Sequence, residues 1–458
     1  MRTPTTKLLS ICASLLICSQ AHAQPIGEEL FLLPAYDTAI FLQFGKAQAV
    51  SDEYLAVSAG VSYLEEEPQN ASVYVYGRAT GGFLYKLTSD SNWPVDFSRF
   101  GNELTIHEDK LLVSSFNPPG PGQGDTAGTV YLYDLPTGKL LQTLIPENDL
   151  DFRRFGVKTA LSKDYAAISA RDGNVYVFDV DTGTELLHIS LPNDLGLAAD
   201  ESSIGDVALW EDTVLVGIPL LESAAGIPGA VYQFDIMTEA TVKIIRPHPL
   251  RRPYGFGVSM DVEDDRVLVG ATRSGTIFDT GSAFVHDIPT GRLLWTFASS
   301  SRGRFGTSVA VSGNTAAIGE PEYRTTGGIK AGRVHVFNFE SGQQLGWFTS
   351  GDPTTDQQFG KILDITGDLV YVGLPNDDIE NLIWAGTVRV HTRLGDPCYG
   401  DCNDSGEVDF TDLLAILFLF DQPHGEGCTV PSTMCDVDGD GADFNDLVTA
   451  LFFFGPCD

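Results

Sequence analysis

The sequence predicts an all-β seven-bladed β-propeller followed by a small C-terminal α domain of two calcium loop–helix units. Three observations predict it. A Phe-Gly dipeptide recurs at Phe44, Phe100, Phe155, Phe256, Phe305 and Phe359, with Ile204-Gly205 filling the one gap, at intervals of 56, 55, 49, 52, 49 and 54 residues. Each copy is followed by the same succession of short β-rich runs, and self-similarity at a period near 50 residues marks a repeat architecture. The last 61 residues hold every cysteine beyond position 18, together with two acid-rich loops that each open into an apolar run.

Residues 1–23 read as a secretory signal peptide: Arg2 and Lys7, an apolar run from Leu8 to Cys18, then Ala21-His22-Ala23 as a cleavage site. The run is about half the roughly 20 residues that a membrane-spanning helix needs. No later segment reaches that length, so the expected product is exported, without a transmembrane segment, to the extracellular space or the cell surface.

Within each repeat of the 24–393 domain the elements follow one order, plainest in FGTSVAVSGNTAAIGEP (305–321) and AGRVHVFNFESGQQLGWF (331–348). Two short runs, VAV and AAI, flank the tight turn Ser312-Gly313-Asn314, which fits a β-hairpin. The other first turns are Ser51-Asp52-Glu53, Glu108-Asp109, Lys163-Asp164, Glu211-Asp212, Asp264-Asp265 and Gly367-Asp368. A loop of variable length comes next, then a third alternating run (VYVY, VYLY, VYVF, VYQF, AFVH, VHVF, VRVH), a turn on Thr-Gly or Ser-Gly, and a fourth run such as KLLQTL. Four antiparallel strands per unit, repeated radially, describe a propeller blade. The seventh unit stops after its third run, whereas ELFLLPA (29–35) precedes the first Phe-Gly and belongs to no unit. This N-terminal strand is therefore expected to complete the last blade and remove two open sheet edges.

These seven copies resemble FG-GAP repeats, the units of the integrin α-subunit propeller, over residues 29–393. Gly319-Glu320-Pro321, Gly373-Leu374-Pro375 and Gly217-Ile218-Pro219 match the GAP element; Ser58-Ala59-Gly60, Ser169-Ala170-Arg171 and Gly270-Ala271-Thr272 depart from it. The acidic calcium loop of some integrin blades would fall at the first hairpin, where the turns here are too short. DLPTGKLLQTL, DVDTGTELLHI and DIPTGRLLWTF are also similar to repeats of quinone-cofactor propeller enzymes. That likeness is confined to one turn and one strand, and the turn needs Thr-Gly for backbone reasons alone.

The chain carries 62 acids against 28 bases, a formal charge of −34. Such a surface excludes nucleic acid as a natural partner, because phosphate binding needs clustered Lys and Arg. No His-Glu-x-x-His, Gly-x-Ser-x-Gly or phosphate loop is present, so no catalytic residue is assigned. His286, His335 and His391 fall in third runs, where an alternating strand residue explains them. Because strands alternate in direction, the loops between second and third strands emerge at the end opposite the tight hairpins. They carry Tyr63, Phe116, Phe278, Tyr323 and Trp384, and loops on a rigid scaffold are where binding residues concentrate. This end is the candidate face for an extracellular ligand; rings packed on their own loops are the alternative.

Residues 394–458 hold fourteen Asp or Glu and no Lys or Arg. Against the twelve-position calcium loop, Asp401, Asn403, Ser405, Asp409 and Asp412 fall at positions 1, 3, 5, 9 and 12, with the Glu407 carbonyl at 7 and Gly406 at the sharp turn. In the second loop Asp436, Asp438 and Asp440 are in register, Ala442 offers a carbonyl, and Asp446 arrives one residue early. The expected cofactor is calcium, about two ions. Cys398, Cys402, Cys428, Cys435 and Cys457 suit disulfides in an oxidising compartment, with zinc the rival.

Duplicated loop-plus-helix units of this kind are similar to dockerin modules with EF-hand-like loops, and the Gly-Pro-Cys ending resembles the GC-type dockerin-like domains that end many exported bacterial proteins. By symmetry within such a module Cys402 pairs with Cys428 and Cys435 with Cys457, one of fifteen two-bridge schemes. Leu413–Phe420 and Leu451–Phe454 are apolar at every position, more than one packed helix face requires. The resemblance implies a cohesin-like or cell-surface protein as partner for these helices. The whole chain reads as an exported, noncatalytic binding or adhesion propeller, anchored at the surface or in an extracellular complex through a calcium-dependent tail. The alternative is an extracellular hydrolase acting on polysaccharide.

Overall fold

The computed structural model describes residues 29–33, 407–408, 455–456 and 43–392, the last without 61–70, 79, 89–98, 117–127, 148–154, 172, 192–203, 220–228, 248–254, 273–279, 351–356, 368 and 379–384. By internal contacts the chain divides into two compact units, Glu29–His391 with Met1–Pro25, and Thr392–Asp458 with Ile26–Glu28. Among the described residues no helix is long and apolar enough to cross a membrane.

The first unit contains seven four-stranded antiparallel sheets. Blade 1 runs Gln48–Val50, Tyr54–Ala59, Ser72–Gly77 and Gly82–Thr88 from the axis outward. Blade 6 repeats the plan with Val309–Ser312, Thr315–Glu320, Arg333–Asn338 and Gln344–Phe348. Blade 7 takes only Ile362–Thr366, Leu369–Leu374 and Thr387–Thr392 from its own stretch. Its fourth strand is Glu29–Leu33, paired antiparallel with Phe31 opposite Val390 and Leu33 opposite Val388. The closure expected from the missing seventh run is thus the one observed. Each first strand contacts its neighbours on both sides, blade 7 meeting blade 1, so the innermost strands form a ring.

The Phe-Gly repeat has two separate physical duties. The phenyl ring, fully buried at Phe44, Phe155, Phe256, Phe305 and Phe359, meets the aromatic residues of its own third strand edge-on, as Phe44 does Tyr74 at 5.6 Å and Phe155 does Tyr176 at 5.6 Å. Such edge contacts add to simple burial. In blade 4, where Ile204 replaces the ring, Tyr232 and Phe234 stack on each other instead. The glycine faces the preceding blade. At Gly45, with φ +85, an added Cβ would lie 2.6 Å from the Thr387 carbonyl oxygen of blade 7. The Phe backbone also latches that neighbour: Phe44 N–H donates to Ala385, and Phe44, Phe305 and Phe359 form parallel bridges with Gly386, Gly281 and Gly332.

A second latch joins blades 1–2, 2–3, 4–5 and 5–6 on the outside. There the fourth-strand residue at one register position reaches under the next blade's Thr-Gly or Ser-Gly turn; blade 3 has Leu187 at that position, whose side chain cannot donate. Tyr85 donates to Leu135 O, Gln142 to Asp181 O, Lys243 to Ile288 O and Trp295 to Glu340 O. Blade 6 has Gly346 at this position, and blade 7 has no such turn to grip, because an N-terminal strand occupies that place. The turns themselves are tied by Asp179, Asp235 and Asp287, each accepting from the backbone N–H and the hydroxyl of the Thr three residues on. At the same end the first hairpins are two-residue turns such as Glu108-Asp109, whose carbonyl accepts from Leu135 beyond the third strand. The hairpins and the Thr-Gly turns therefore share one end of the ring, and the longer loops share the other.

Candidate functional site

Blade 6 shows its whole loop end. The second strand finishes at Glu320, which is 0 % exposed. Its carboxylate accepts from Arg333 Nε at 2.6 Å, from His335 Nε2 at 2.9 Å and from the Ser301 hydroxyl. Burial alone would raise the Glu320 carboxyl, but the His335 hydrogen bond, the Arg333 charge and the Ser301 hydroxyl outweigh it and hold it below the usual carboxylate range. Burial pushes His335 down, so the ring is neutral, donates from Nε2 and receives the Gln344 amide at Nδ1, 3.1 Å away. The guanidinium of Arg333 lies 3.9 Å from the Tyr323 ring centroid and 5.3 Å from that of Trp347.

Of the candidate loop aromatics, Tyr323 is half-buried, and with Trp347 it caps the Arg333 guanidinium, both partners belonging to the third and fourth strands. Phe116 ends the second strand of blade 2, its side chain lying outside the described residues, as do Tyr63, Phe278 and Trp384. Blade 7 repeats the ion pair in shorter form: Asp377 accepts from Arg389 at 3.0 Å, Thr387 at 2.8 Å and Gln357 at 3.0 Å. Sequence reasoning missed both clusters. The available signal was that His335 and Arg389 stand where Tyr74, Tyr176 and Tyr232 stand in other blades.

The axis of the ring encloses a cavity of about 520 Å³ lined by the first strands. Three carboxylates there share one arrangement. Asp206 accepts from its neighbour Val207 and from Met260 of the next blade; Asp261 accepts from Val262 and Val311; Asp364 accepts from Ile365 and Val50. Each therefore satisfies a backbone donor on the open inner edge of the following blade, where no further strand can pair. Burial raises these carboxyls, to about 6 at Asp206, about 8 at Asp261 and about 7 at Asp364. Between blades 2 and 3 the link is ionic instead, Lys158 to Glu103 at 2.9 Å. A second cavity of about 350 Å³, at the loop end of blades 1 and 2, is bordered by Gln43, Lys46 and Arg99.

In the C-terminal unit the described backbone is one short antiparallel pairing, Glu407 opposite Pro456 and Val408 opposite Gly455. Among the expected ligands, only the Glu407 backbone lies within it. Asp401, Asn403, Ser405, Asp409, Asp412, Asp436, Asp438, Asp440, Ala442 and Asp446, the expected helices and the cysteines lie outside the described residues.

The model of the FG-GAP repeat family matches residues 299–337, the span of blade 6 from its entry link to its third strand. No curated protein sequence matches the chain. Among solved structures, the computationally designed Ika8 protein aligns at 17 % identity and a TM-score of 0.48, over 80 % of this chain and all of its own.

Proposed function

We propose that this protein is an exported, noncatalytic binding propeller, held at the cell surface or in an extracellular complex by a calcium-dependent dockerin-like tail. The FG-GAP-type propeller is a fold of the binding and adhesion kind. One observation supports the reading above the others: the seven blades close into one ring, latched at its axis, by the backbone of Phe44, Phe305 and Phe359, and at four boundaries of its rim. A rigid ring of that form is the kind of scaffold from which connecting loops meet a partner. In the tail, Asp401 to Asp412 and Asp436 to Asp446 supply the oxygens, and the ions would draw together carboxylates that otherwise repel.

A hydrolase would draw on the raised carboxyls of the axial cavity. Both oxygens of Asp206, Asp261 and Asp364 are already engaged by backbone donors of two blades, which favours binding over catalysis. The test is retention of the full secreted chain on a cell-envelope fraction, in calcium and in chelator, beside an Asp401→Ala/Asp412→Ala variant. Retention in calcium that is lost in chelator and in the variant is expected. Equal retention under all three conditions would remove the tail from the account.

A further inference from the structure

We propose that the cavity of about 350 Å³ at the loop end of blades 1 and 2 is a binding site for a small organic carboxylate, seated between Lys46 and Arg99. The proposal names a ligand class for the loop end of the binding propeller above and rests on that reading. Lys46, half-buried, directly follows Phe44-Gly45, and Arg99, exposed, directly precedes Phe100-Gly101 of the next blade. The packing of two successive Phe-Gly pairs thus sets both cations on one cavity, whose other walls are small: Ala59, Gly60, Ala71 and Gly101. Among the described residues no carboxylate pairs with either cation. Burial, and after it the Arg99 charge, push the Lys46 ammonium below the usual lysine range. A buried cation that faces a second cation is a cost, which a bound anion would offset. The described acids of the same end are already engaged. Glu103 binds Lys158 at 2.9 Å, Asp377 binds Arg389 at 3.0 Å, Glu322 lies 3.4 Å from both Arg304 and Lys330, and Asp378 has an interaction of its own.

Blade 6 shows which anion suits this place. There Glu320 ends the second strand opposite Arg333, whereas Ala59 ends the second strand of blade 1 opposite Ser72. Blade 6 fills the position with its own carboxylate beside a guanidinium; blade 1 has a methyl group and a cavity. A carboxylate from outside supplies the missing group, and a guanidinium fork matches it through two parallel hydrogen bonds. The volume lies at the small end of the roughly 300–1,000 Å³ of ligand pockets, which suits a small molecule and not a polymer. The Phe100 ring is 2 % exposed and packs against Tyr131, so among the described lining residues no aromatic face is open to a base or a sugar ring. Nor does the backbone ask for arginine at position 99. Gln43 and Gln358 hold the same left-handed conformation before their own phenylalanines, at φ +51 and +54 against +50 at Arg99.

The experiment is calorimetric titration of succinate, its uncharged diamide and inorganic phosphate into the full secreted chain, beside four variants. Lys46→Gln and Arg99→Gln remove the cations. Lys361→Gln is the control, because Lys361 follows the Phe-Gly of blade 7 as Lys46 follows that of blade 1, and both line the axial cavity. Glu65→Gln/Glu66→Gln/Glu67→Gln neutralises the acids that the sequence carries between Gly60 and Ala71. Saturable binding of succinate and none of the diamide is expected. Lys46→Gln should weaken it about tenfold, the loss of one charge-assisted hydrogen bond, and should melt no lower than the parent, since it removes an unpaired cation. Arg99→Gln should weaken it about threefold, as an exposed charge does, and Lys361→Gln should leave it unchanged. No uptake of succinate, equal uptake of the diamide or tighter uptake of phosphate would overturn the inference. So would an equal loss in Lys361→Gln, which places the ligand at the axis, a Lys46→Gln chain that melts clearly below the parent, or binding that appears only in the triple variant, where the chain's own acids would have filled the site. Each of these leaves the binding reading to its own envelope-retention assay.

Discussion

Gly45→Ala should loosen the closed ring at its only seam between the first and last blades. Gly45 has φ +85, and its new Cβ would meet three backbone atoms of blade 7: Thr387 O at 2.6 Å, Leu374 N at 3.2 Å and Gly373 Cα at 3.3 Å. None is the end of a flexible side chain, so the two blades must separate. Holding alanine in the left-handed region costs about 1–2 kcal/mol. Displacing the seam weakens the Phe44–Ala385 hydrogen bond, 3.0 Å in the parent, for about a further 1 kcal/mol. The sum is about 3 kcal/mol. Spread over a propeller of about 360 residues, at about 2.1 cal/mol/K per residue, it lowers Tm by roughly 4 °C. Calorimetric melting of parent and variant reads this directly. Gly327→Ala is the control: its Cβ would meet only the Thr325 hydroxyl at 3.8 Å, and its Tm should match the parent. A Gly45→Ala chain melting within 1 °C of the parent, a margin set by the roughly 4 °C expected, would refute the seam as described.

Three further outcomes follow from the packing. The Asp261 carboxyl, raised to about 8 by burial, binds its proton more tightly in the folded chain. Its contribution to stability is present below the ordinary carboxylate range and is lost as pH rises to about 8, so Asp261→Asn should gain Tm relative to the parent between pH 5 and pH 9; a constant difference would count against the buried carboxyl. Glu320→Gln leaves Arg333 paired only to neutral groups beneath the Tyr323 ring and should cost about 3 kcal/mol or more by denaturant unfolding, whereas a loss under about 1 kcal/mol would mean the pair behaves as a surface one. Trp295→Ala removes the 3.1 Å bond to Glu340 O and the ring under Gly342, and should cost about 1–2 kcal/mol. Gly346→Ala, at the position with no turn to grip, should not reproduce that loss.

The blade plan was legible because its signals are local. A Phe-Gly, a two-residue turn and alternating runs all lie within about 50 residues of one another, and the seventh blade declared its borrowed strand by lacking its own fourth run. What escaped is what the ring brings together from afar. Asp364 contacts Val50 across 314 positions and Asp261 contacts Val311 across 50, and nothing beside either aspartate distinguishes it from a solvated one. The partners of the candidate Tyr323 were not legible because Arg333 and Trp347, which hold its ring, are separated from it by a loop and a strand. Arg304 and Lys330 meet at Glu322, 3.4 Å from each, a convergence not legible in the sequence because it depends on residues 323–332 folding back on themselves.

The central claim, a binding propeller tethered through calcium, is tested most directly by calorimetric titration of calcium into the full oxidised chain beside its Asp401→Ala/Asp412→Ala variant. The account predicts saturable binding of about two ions, one at the twelve-position loop Asp401–Asp412 and one at the shorter loop Asp436–Asp446, and loss of at least the first site in the variant. An intact chain that takes up no calcium would contradict it.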